Sequence, residues 1–172
     1  MHLPNHLAIG WIVGHKEDER RSRLLVAWAG VAPDLDALTV LFGQDVYGRW
    51  HHVLCHGLVF SLVVTFAVYL LARSWRVAAL AILSFHMHLA CDLLGSGVEW
   101  SISYFYPFSR WELSFPWGWE LASWQNTAIM VGLLLAMVWT AKRYGRTFAE
   151  TFLPARIDKL VSETIVRRFG RR

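Results

Sequence analysis

The chain has 172 residues, of which 55% are hydrophobic and only 17% are charged. Soluble domains carry about 25% charged residues, so this composition argues against an ordinary soluble protein. The ten tryptophans and the aromatic content of 15% also favour a membrane protein, because Trp and Tyr concentrate at membrane–water interfaces. The net charge of +4 is uneven, since residues 142–172 carry +6 and the rest of the chain −2.

The first part of the chain is predicted to form a short helical hairpin. Apolar segments at 3–15 and 24–32 favour two short helices, and the charged segment 16–23 between them favours a turn. Pro33 ends the second helix and begins the sequence "PDLD". A further apolar segment at 37–43 is followed by a polar connection as far as Arg49.

The middle of the chain predicts a longer hairpin. Residues 50–72 are mostly apolar, residues 73–76 read "RSWR" and indicate a tight basic turn, and residues 77–95 form another apolar segment. A membrane-spanning helix needs about 20 apolar residues. We therefore expect these two helices to span a membrane or nearly to span it.

The last third of the chain contains an aromatic segment, then an apolar segment, then a basic tail. Residues 96–124 hold five of the ten tryptophans and two prolines, which is typical of an irregular interfacial segment. Residues 126–141 are the last candidate span, and the basic tail has apolar residues at helical spacing, as in a surface amphipathic helix. The predicted fold is an all-α integral membrane bundle with short helical hairpins, divided into a membrane domain at 1–141 and a basic tail at 142–172.

Polar residues interrupt the apolar segments at matching levels of the two predicted hairpins. An antiparallel pair that turns near residue 74 places His56 level with Asp92, and His88 lies one helical turn from Asp92. The first hairpin brings His6 to the level of "PDLD". In both hairpins the polar residues lie at the end away from the basic turn. The predicted cluster consists of His6, Asp34, Asp36, His51, His52, His56, His88 and Asp92.

Imidazole and carboxylate groups are ligands for zinc and similar divalent ions. Singly, each residue has an ordinary explanation: an aspartate caps a helix, and His-x-x-x-Asp forms a hydrogen bond or a proton relay. Together they predict a divalent metal site for zinc, with manganese as the alternative, holding one or two ions. A bridging carboxylate would suit two ions about 3.5–4 Å apart. His2, His15 and His86 fall outside the predicted cluster.

Five short motifs occur in an order that resembles the YdjM-like family of bacterial inner-membrane proteins, described as metal-dependent hydrolases. They are "NHLAIG", "APDLDAL", "WHHVLCHGLVFSL", "HMHLACDLLGSG" and "YPFS", and the resemblance covers about residues 1–140. It implies site residues at His6, at the two aspartates of "PDLD", and at the His-x-x-x-Asp pair His88 and Asp92.

The same resemblance aligns a His-Arg-Gly-x-Thr-His-Ser stretch of the family with His51 through Gly57. It implies His51 and His56 as the matching histidines. This chain has His52 in place of the arginine and Cys55 in place of the threonine, which leaves open whether His51 or His52 is the ligand. A more distant likeness is to the zinc-dependent phospholipase C and single-strand nuclease superfamily, but no His follows His88, so the downstream ligands of that group have no counterpart here.

The expected function is that of a membrane-bound metal-dependent hydrolase of a phosphoester, for which a phospholipid-like substrate is the hypothesis. Asp34, Asp36 and Asp92 are the catalytic candidates, as metal ligands or as the base. The alternatives are a non-enzymatic, metal-stabilised scaffold or partner-binding protein, and a proton or metal-ion transporter. Membrane lipid is the expected partner and no specific nucleic acid is expected, while the oligomeric state stays open.

The positions of the basic loops predict the orientation in the membrane. Basic loops favour the cytoplasm, so residues 16–23 and 73–76 and the tail are expected inside. The chain is then a multi-pass protein of the bacterial inner membrane, with the predicted metal site on the periplasmic side.

Overall fold

The computed structural model describes residues 1–170, and across them the fold is all-α, as predicted. The only β-type pairing in this part is an isolated bridge between Ile102 and Leu113. The α-helices are α1 (Leu3–Gly14), α2 (Arg20–Ala29), α3 (Gln44–Trp50), α4 (Leu58–Ala72), α5 (Trp75–Gly95), α6 (Trp124–Tyr144) and α7 (Ala155–Phe169), with 3₁₀-helices at Ala32–Phe42 and Phe148–Thr151.

The chain forms two compact units, of which the first is Met1–Asn126 and the second begins at Thr127. The first unit holds α1 to α5 and the aromatic segment that follows. The predicted division between residues 141 and 142 lies further along the chain and stays a prediction.

Four helices of the first unit, α1, α2, α4 and α5, pack around a small apolar core that includes Val26, Val68 and Ala81. Small residues let these helices approach closely. A Cβ atom added at Gly10 would lie 2.9 Å from the carbonyl oxygen of Ala27, closer than such atoms approach. Close helix packing over small residues is common in membrane proteins, where a hydrophobic driving force between helices is lacking.

The turns of the two hairpins lie at the same end of this unit. The Nε atom of Arg76, in the second turn, is 2.9 Å from a carboxylate oxygen of Glu17, in the first. Buried Arg23 donates hydrogen bonds to the backbone carbonyls of Glu17 and Asp18 and so holds the first turn together. In each predicted hairpin the polar residues lie at the end away from the turn. The predicted polar cluster therefore lies at the opposite end of the unit.

The prediction of one long helix from residue 50 is wrong, because α4 begins only at Leu58. Residues 51–57 form successive turns after the short helix α3, which itself occupies part of the predicted polar connection. His52 has a positive φ of 67°, which ends any helix there. The carboxylate of Asp36 accepts a hydrogen bond from the backbone N–H of Cys55, at 3.1 Å, and so stabilises the turn conformation.

Two further boundaries differ from the sequence-based expectation. Helix α2 begins at Arg20, inside the predicted charged turn, because arginine has a high helix propensity. The aspartates of "PDLD" lie in a 3₁₀-helix that starts at Ala32. Its tighter winding places Asp34 and Asp36 at different angles around the axis than an α-helix would.

Helices α5 and α6 are long and apolar enough to cross a membrane. Helix α2 and the following 3₁₀-helix are bent by 53° and would together count as a third span, whereas α4 is apolar but shorter. Two or three candidate spans agree with an integral membrane protein. The side of the membrane on which each end lies stays a prediction.

The second unit contains the predicted amphipathic tail helix, observed as α7. Its buried Asp158 accepts hydrogen bonds from the backbone N–H and the hydroxyl of Thr147, which anchors the helix. The large apolar residues Leu160 and Phe169 are exposed, so α7 presents apolar and basic residues on its surface.

Candidate metal centre

Four predicted site residues converge at the end of the first unit away from the turns: Asp34, His56, His88 and Asp92. Each offers one atom able to bind a metal ion, and these atoms lie within 4.8 Å of one another. Nε2 of His88 is 2.9 Å from Oδ2 of Asp92 and 3.6 Å from Oδ1 of Asp34. The predicted matching of His56 with the level of Asp92 is correct, since the two are 3.5 Å apart through Nε2 and Oδ2.

The other ring nitrogens of the two central histidines are already engaged. Nδ1 of His88 donates to the backbone carbonyl of Gly30 at 2.8 Å, and Nδ1 of His56 donates to Asp36 at 3.0 Å. The two Nε2 atoms then face each other across 3.4 Å. Metal-ligating histidines are usually held in this way, with one nitrogen bound to a carbonyl or carboxylate and the other free for the ion.

Asp36 occupies a different position from the other aspartates. One of its oxygens accepts a hydrogen bond from Nδ1 of His51 at 2.7 Å, and the other accepts from Nδ1 of His56 and from the backbone N–H of Cys55. Its side chain is fully buried. Both of its carboxylate oxygens therefore face ligand candidates and the backbone, and they fix the orientation of two imidazole rings.

His51, His52 and His56 form a second group whose ring nitrogens lie within 4.8 Å of one another. Nε2 of His52 is 3.8 Å from Oδ2 of Asp92, so the second group adjoins the first. Nδ1 of His52 is buried and has no hydrogen-bond partner among residues 1–170. Both His51 and His52 thus lie in the cluster, and the structure leaves open which of them is the better ligand.

His6 reaches the cluster from α1. Its Nε2 atom is 3.1 Å from Oδ1 of Asp92, and its ring stacks on that of His88 with 3.8 Å between centroids. Nδ1 of His6 is buried without a hydrogen-bond partner in the described chain. The positively charged amino group of Met1 also lies against Oδ1 of Asp92 and 2.5 Å from the hydroxyl of Ser96. The carboxylate of Asp92 thus already attracts one cation.

The pKa values of two histidines in the turns, His56 and His52, also agree with a site for a positively charged ion. Burial lowers the pKa of His56, but hydrogen bonds with Asp36 and Asp92 outweigh it and raise the pKa to about 9. Burial lowers the pKa of His52 to about 3, helped by the charge of His56. The carboxylates therefore favour positive charge at one ring, while its neighbour stays neutral with a free lone pair at neutral pH.

The donor set fits zinc or manganese, because it consists only of imidazole nitrogens and carboxylate oxygens. The orphaned nitrogens of His6 and His52 add to this fit, since a buried polar atom without a partner is costly. Both cysteines are free thiols outside the two groups. Burial raises the pKa of the Cys55 thiol to about 11, so at neutral pH it is protonated and a poor ligand.

A cavity of about 250 Å³ opens onto this cluster and is lined by Asp34, His51, His52 and Asp92. Tyr47, Ser96 and Trp100 also line it, and the sequence analysis did not single them out. Their types are common in an aromatic interfacial segment, so nothing in the sequence separated them from their neighbours. The Gly30 carbonyl that holds His88 is a backbone group and leaves no sequence signal at all.

His86 lies outside the cluster, as predicted. Its Nε2 atom is 2.9 Å from the hydroxyl of Tyr104, and its Nδ1 atom donates to the backbone carbonyl of Ile82 at 2.8 Å. This imidazole has a structural role between α5 and the aromatic segment.

The comparisons with known proteins agree with the sequence motifs. The family model for the YdjM inner membrane protein matches residues 1–161. No curated protein and no solved structure matches the chain. The more distant likeness to the phospholipase C and nuclease superfamily stays an expectation. With a family match over most of its length, two or three candidate spans and a His/Asp cluster that could hold a metal ion, the chain belongs to the YdjM inner membrane protein family.

Proposed function

We propose that this membrane protein is a metal-dependent hydrolase that cleaves a phosphoester with water. The observation that carries the proposal is the pair of Nε2 atoms of His56 and His88, which face each other beside two carboxylates while both Nδ1 atoms are engaged elsewhere. Both Nε2 atoms also lie beside Oδ2 of Asp92, at 3.5 Å and 2.9 Å, so two imidazoles and a carboxylate converge on one point. A divalent ion between them is the simplest partner for both Nε2 atoms.

We assign the first metal position to Asp34, His56, His88 and Asp92, and zinc or manganese as the ion. His51 and His52 would contribute to a second position that shares His56. His6 would hold Asp92 in place through Oδ1, whereas His88 contacts Oδ2. A bound ion would supply a water of lowered pKa, about 7 in zinc enzymes, and would polarise a phosphoryl oxygen.

The three aspartates would have different tasks. The side chain of Asp34 is 20% exposed and lines the cavity, whereas those of Asp92 and Asp36 are 4% and 0% exposed. Asp34 is therefore the carboxylate that a substrate or a water molecule can reach, and we assign the proton to the oxygen of Asp34 that does not bind the ion. Asp92 would hold the ion, and Asp36 would position His51 and His56.

The first experiment compares the metal content of the detergent-purified protein with that of the double variant His88→Ala/Asp92→Ala, by elemental mass spectrometry. A matched control is His86→Ala, which removes a histidine of the same helix that lies outside the cluster. We expect one or two equivalents of zinc or manganese in the wild type and the control, and none in the double variant. Hydrolysis of nitrophenyl phosphoesters then tests the activity, which should vanish in Asp34→Asn.

A metal-stabilised scaffold is the second candidate. One observation favours it: the residues of the two groups come from the first 3₁₀-helix, the turns before α4, and α5, so an ion would crosslink three parts of the first unit. The two candidates differ in turnover. Metal retained by the wild type without hydrolysis of any phosphoester or acyl ester would favour the scaffold.

A further inference from the structure

A second cavity, of about 410 Å³, lies on the far side of the turn that carries His51 and His52. Its polar lining comes from Arg49, Ser103, Tyr106, Arg110 and Glu112, and we call it the arginine groove. We propose that the arginine groove binds the phosphoryl group of an anionic lipid, as an anchor for the substrate of the adjoining metal centre. The anchoring of a substrate rests on the proposed function. Binding of a lipid to the groove can be tested independently of that function.

The arginine groove adjoins the candidate metal centre. Arg49 and Trp50 line the groove, and the next two residues, His51 and His52, line the metal-centre cavity. The backbone N–H of Ser103, a groove residue, donates to the carbonyl of His52 at 3.1 Å. The two cavities therefore adjoin, because part of each wall is built from the same short stretch of chain.

A third, smaller cavity shares lining residues with both the arginine groove and the metal-centre cavity. It has a volume of about 170 Å³ and is lined by Arg49 and Ser103 of the groove and by His51 and Trp100 of the metal-centre cavity. The smaller cavity thus shares lining residues with each of the other two. A molecule anchored in the groove would reach toward the cluster through this smaller cavity.

The two arginines of the groove have no carboxylate partner. Both are exposed, and within residues 1–170 neither forms an ion pair or a hydrogen bond. The groove also contains Glu112, but its carboxylate accepts a hydrogen bond from the hydroxyl of Ser101 at 2.6 Å. The groove thus contains two positively charged guanidinium groups and one negatively charged carboxylate, so its net charge is positive.

The side chains of two other arginines of the first unit have partners. Arg23 is buried and donates to two backbone carbonyls, and Arg76 pairs with Glu17. Exposed Arg21 and Arg73 line neither cavity, so Arg49 and Arg110 are the two arginines that line the groove next to the candidate centre. A planar guanidinium binds a phosphoryl group with two parallel hydrogen bonds, which makes this anion the ligand that best matches the lining.

The surroundings of the groove favour a lipid as the bearer of that phosphoryl group. Phe108 is 87% exposed and Trp111 is 55% exposed, and they flank Arg110 in the sequence. Trp and Tyr are enriched at the level of lipid headgroups in membrane proteins. The rings of Trp50 and Tyr106 meet edge to face at 6.3 Å between centroids and give the groove an apolar wall for the stem of a lipid.

The test measures binding by isothermal titration calorimetry with the full chain in a neutral detergent. The probes are dihexanoyl phosphatidic acid, dihexanoyl phosphatidylcholine and inorganic phosphate, each below its micellar concentration where this applies. The variants are Arg49→Gln and Arg110→Gln. Arg21→Gln is the matched control, because Arg21 is exposed at the start of α2, near the turn end of the unit.

We expect phosphatidic acid to bind more tightly than the other two probes. Its Kd should rise roughly tenfold in each groove variant, as for the loss of one charge-assisted hydrogen bond, and should not change in Arg21→Gln. Equal binding of phosphatidic acid and inorganic phosphate would overturn the lipid assignment. An equal loss in all three variants would show a general charge effect and overturn the groove.

The same titration, repeated with a chelator on the Asp92→Asn variant, separates this inference from the proposed function. Binding that persists there with its dependence on Arg49 and Arg110 supports the groove even if no hydrolysis is ever found. If the protein does hydrolyse a phospholipid, Arg49→Gln should raise KM and leave kcat nearly unchanged. An active enzyme whose KM is the same in both groove variants would overturn the anchoring role.

Discussion

Nδ1 of His56 lies 3.0 Å from Oδ2 of Asp36, and this contact directs the opposite nitrogen of the ring toward His88. The same carboxylate binds Nδ1 of His51 through its other oxygen. Asp36 thus links two histidines that are five residues apart in a segment of turns. A carboxylate behind a metal-binding imidazole fixes its tautomer and increases its basicity.

The first prediction concerns Asp36 as a positioning residue. In Asp36→Asn we expect the affinity for zinc to fall about 10- to 100-fold, as when the carboxylate behind a ligand is lost, with the stoichiometry unchanged. Competition with a chromophoric chelator measures the affinity. Asp45→Asn, an exposed carboxylate on α3, is the control and should bind zinc like the wild type. A complete loss of one ion in Asp36→Asn would make Asp36 a direct ligand instead.

The second prediction concerns stability. Ligand candidates from three parts of the first unit would be joined by a bound ion, so zinc should raise the Tm of the detergent-purified protein. Zinc at one hundred times its Kd adds about 2.7 kcal/mol to the free energy of unfolding. Thermal unfolding followed by circular dichroism, with and without chelator, measures this.

The variant Asp92→Asn provides the comparison for the stability prediction. It removes a carboxylate that lies within 4 Å of four imidazole rings, and we expect its Tm to be independent of zinc. The same rise of Tm in the variant and in the wild type would mean that zinc binds elsewhere on the chain.

Part of the site could be predicted from the sequence, because it depends on regular geometry. His88 and Asp92 share a face of α5 by the helical repeat, and the lengths of the two hairpins place His56 at the level of Asp92. The predicted helix from residue 50 would have carried His52 and His56 as well, but residues 51–57 form turns. Both residues still reach the cluster, because the turns are held there by a hydrogen bond to Asp36.

The rest of the site depends on contacts that a sequence pattern does not encode. The carbonyl that orients His88 belongs to Gly30, 58 residues away. The arginine groove brings residue 49 together with residue 110 through an irregular aromatic segment. Periodicity predicts which residues share a helix face, but it says nothing about where a segment without regular structure returns to the bundle.

The third prediction concerns the close packing of α1. In Gly10→Ala the new methyl group would lie 2.9 Å from the carbonyl oxygen of Ala27 and 2.6 Å from the hydroxyl of Ser84. The hydroxyl can rotate, but the backbone carbonyl cannot, so the helices must separate. We expect a loss of about 1–3 kcal/mol in the free energy of unfolding, the usual cost of overpacking.

Gly132→Ala on α6 is the matched control for Gly10→Ala. A Cβ atom there meets nothing within 4 Å, so the substitution should be neutral or slightly stabilising, as alanine is the better helix former. Chemical unfolding in mixed micelles compares the two. Equal stability of both variants would contradict the close approach of α1 and α2.

The last prediction separates the tail from the site. Every predicted site residue lies between His6 and Asp92 in the first unit, whereas α7 and the buried Asp158 that anchors it belong to the second. A chain that ends after residue 146 should therefore keep the metal content of the full protein and the same turnover per bound ion. Metal content by elemental mass spectrometry serves as the control for folding of the first unit, since the cluster forms only when α1 and α5 are packed.

A truncated protein that keeps its metal but loses turnover would give the tail a part in the reaction. A full chain without turnover that captures a partner only when residues 147–172 are present would favour the scaffold, because the working surface would then be the basic helix and the metal would serve the fold alone.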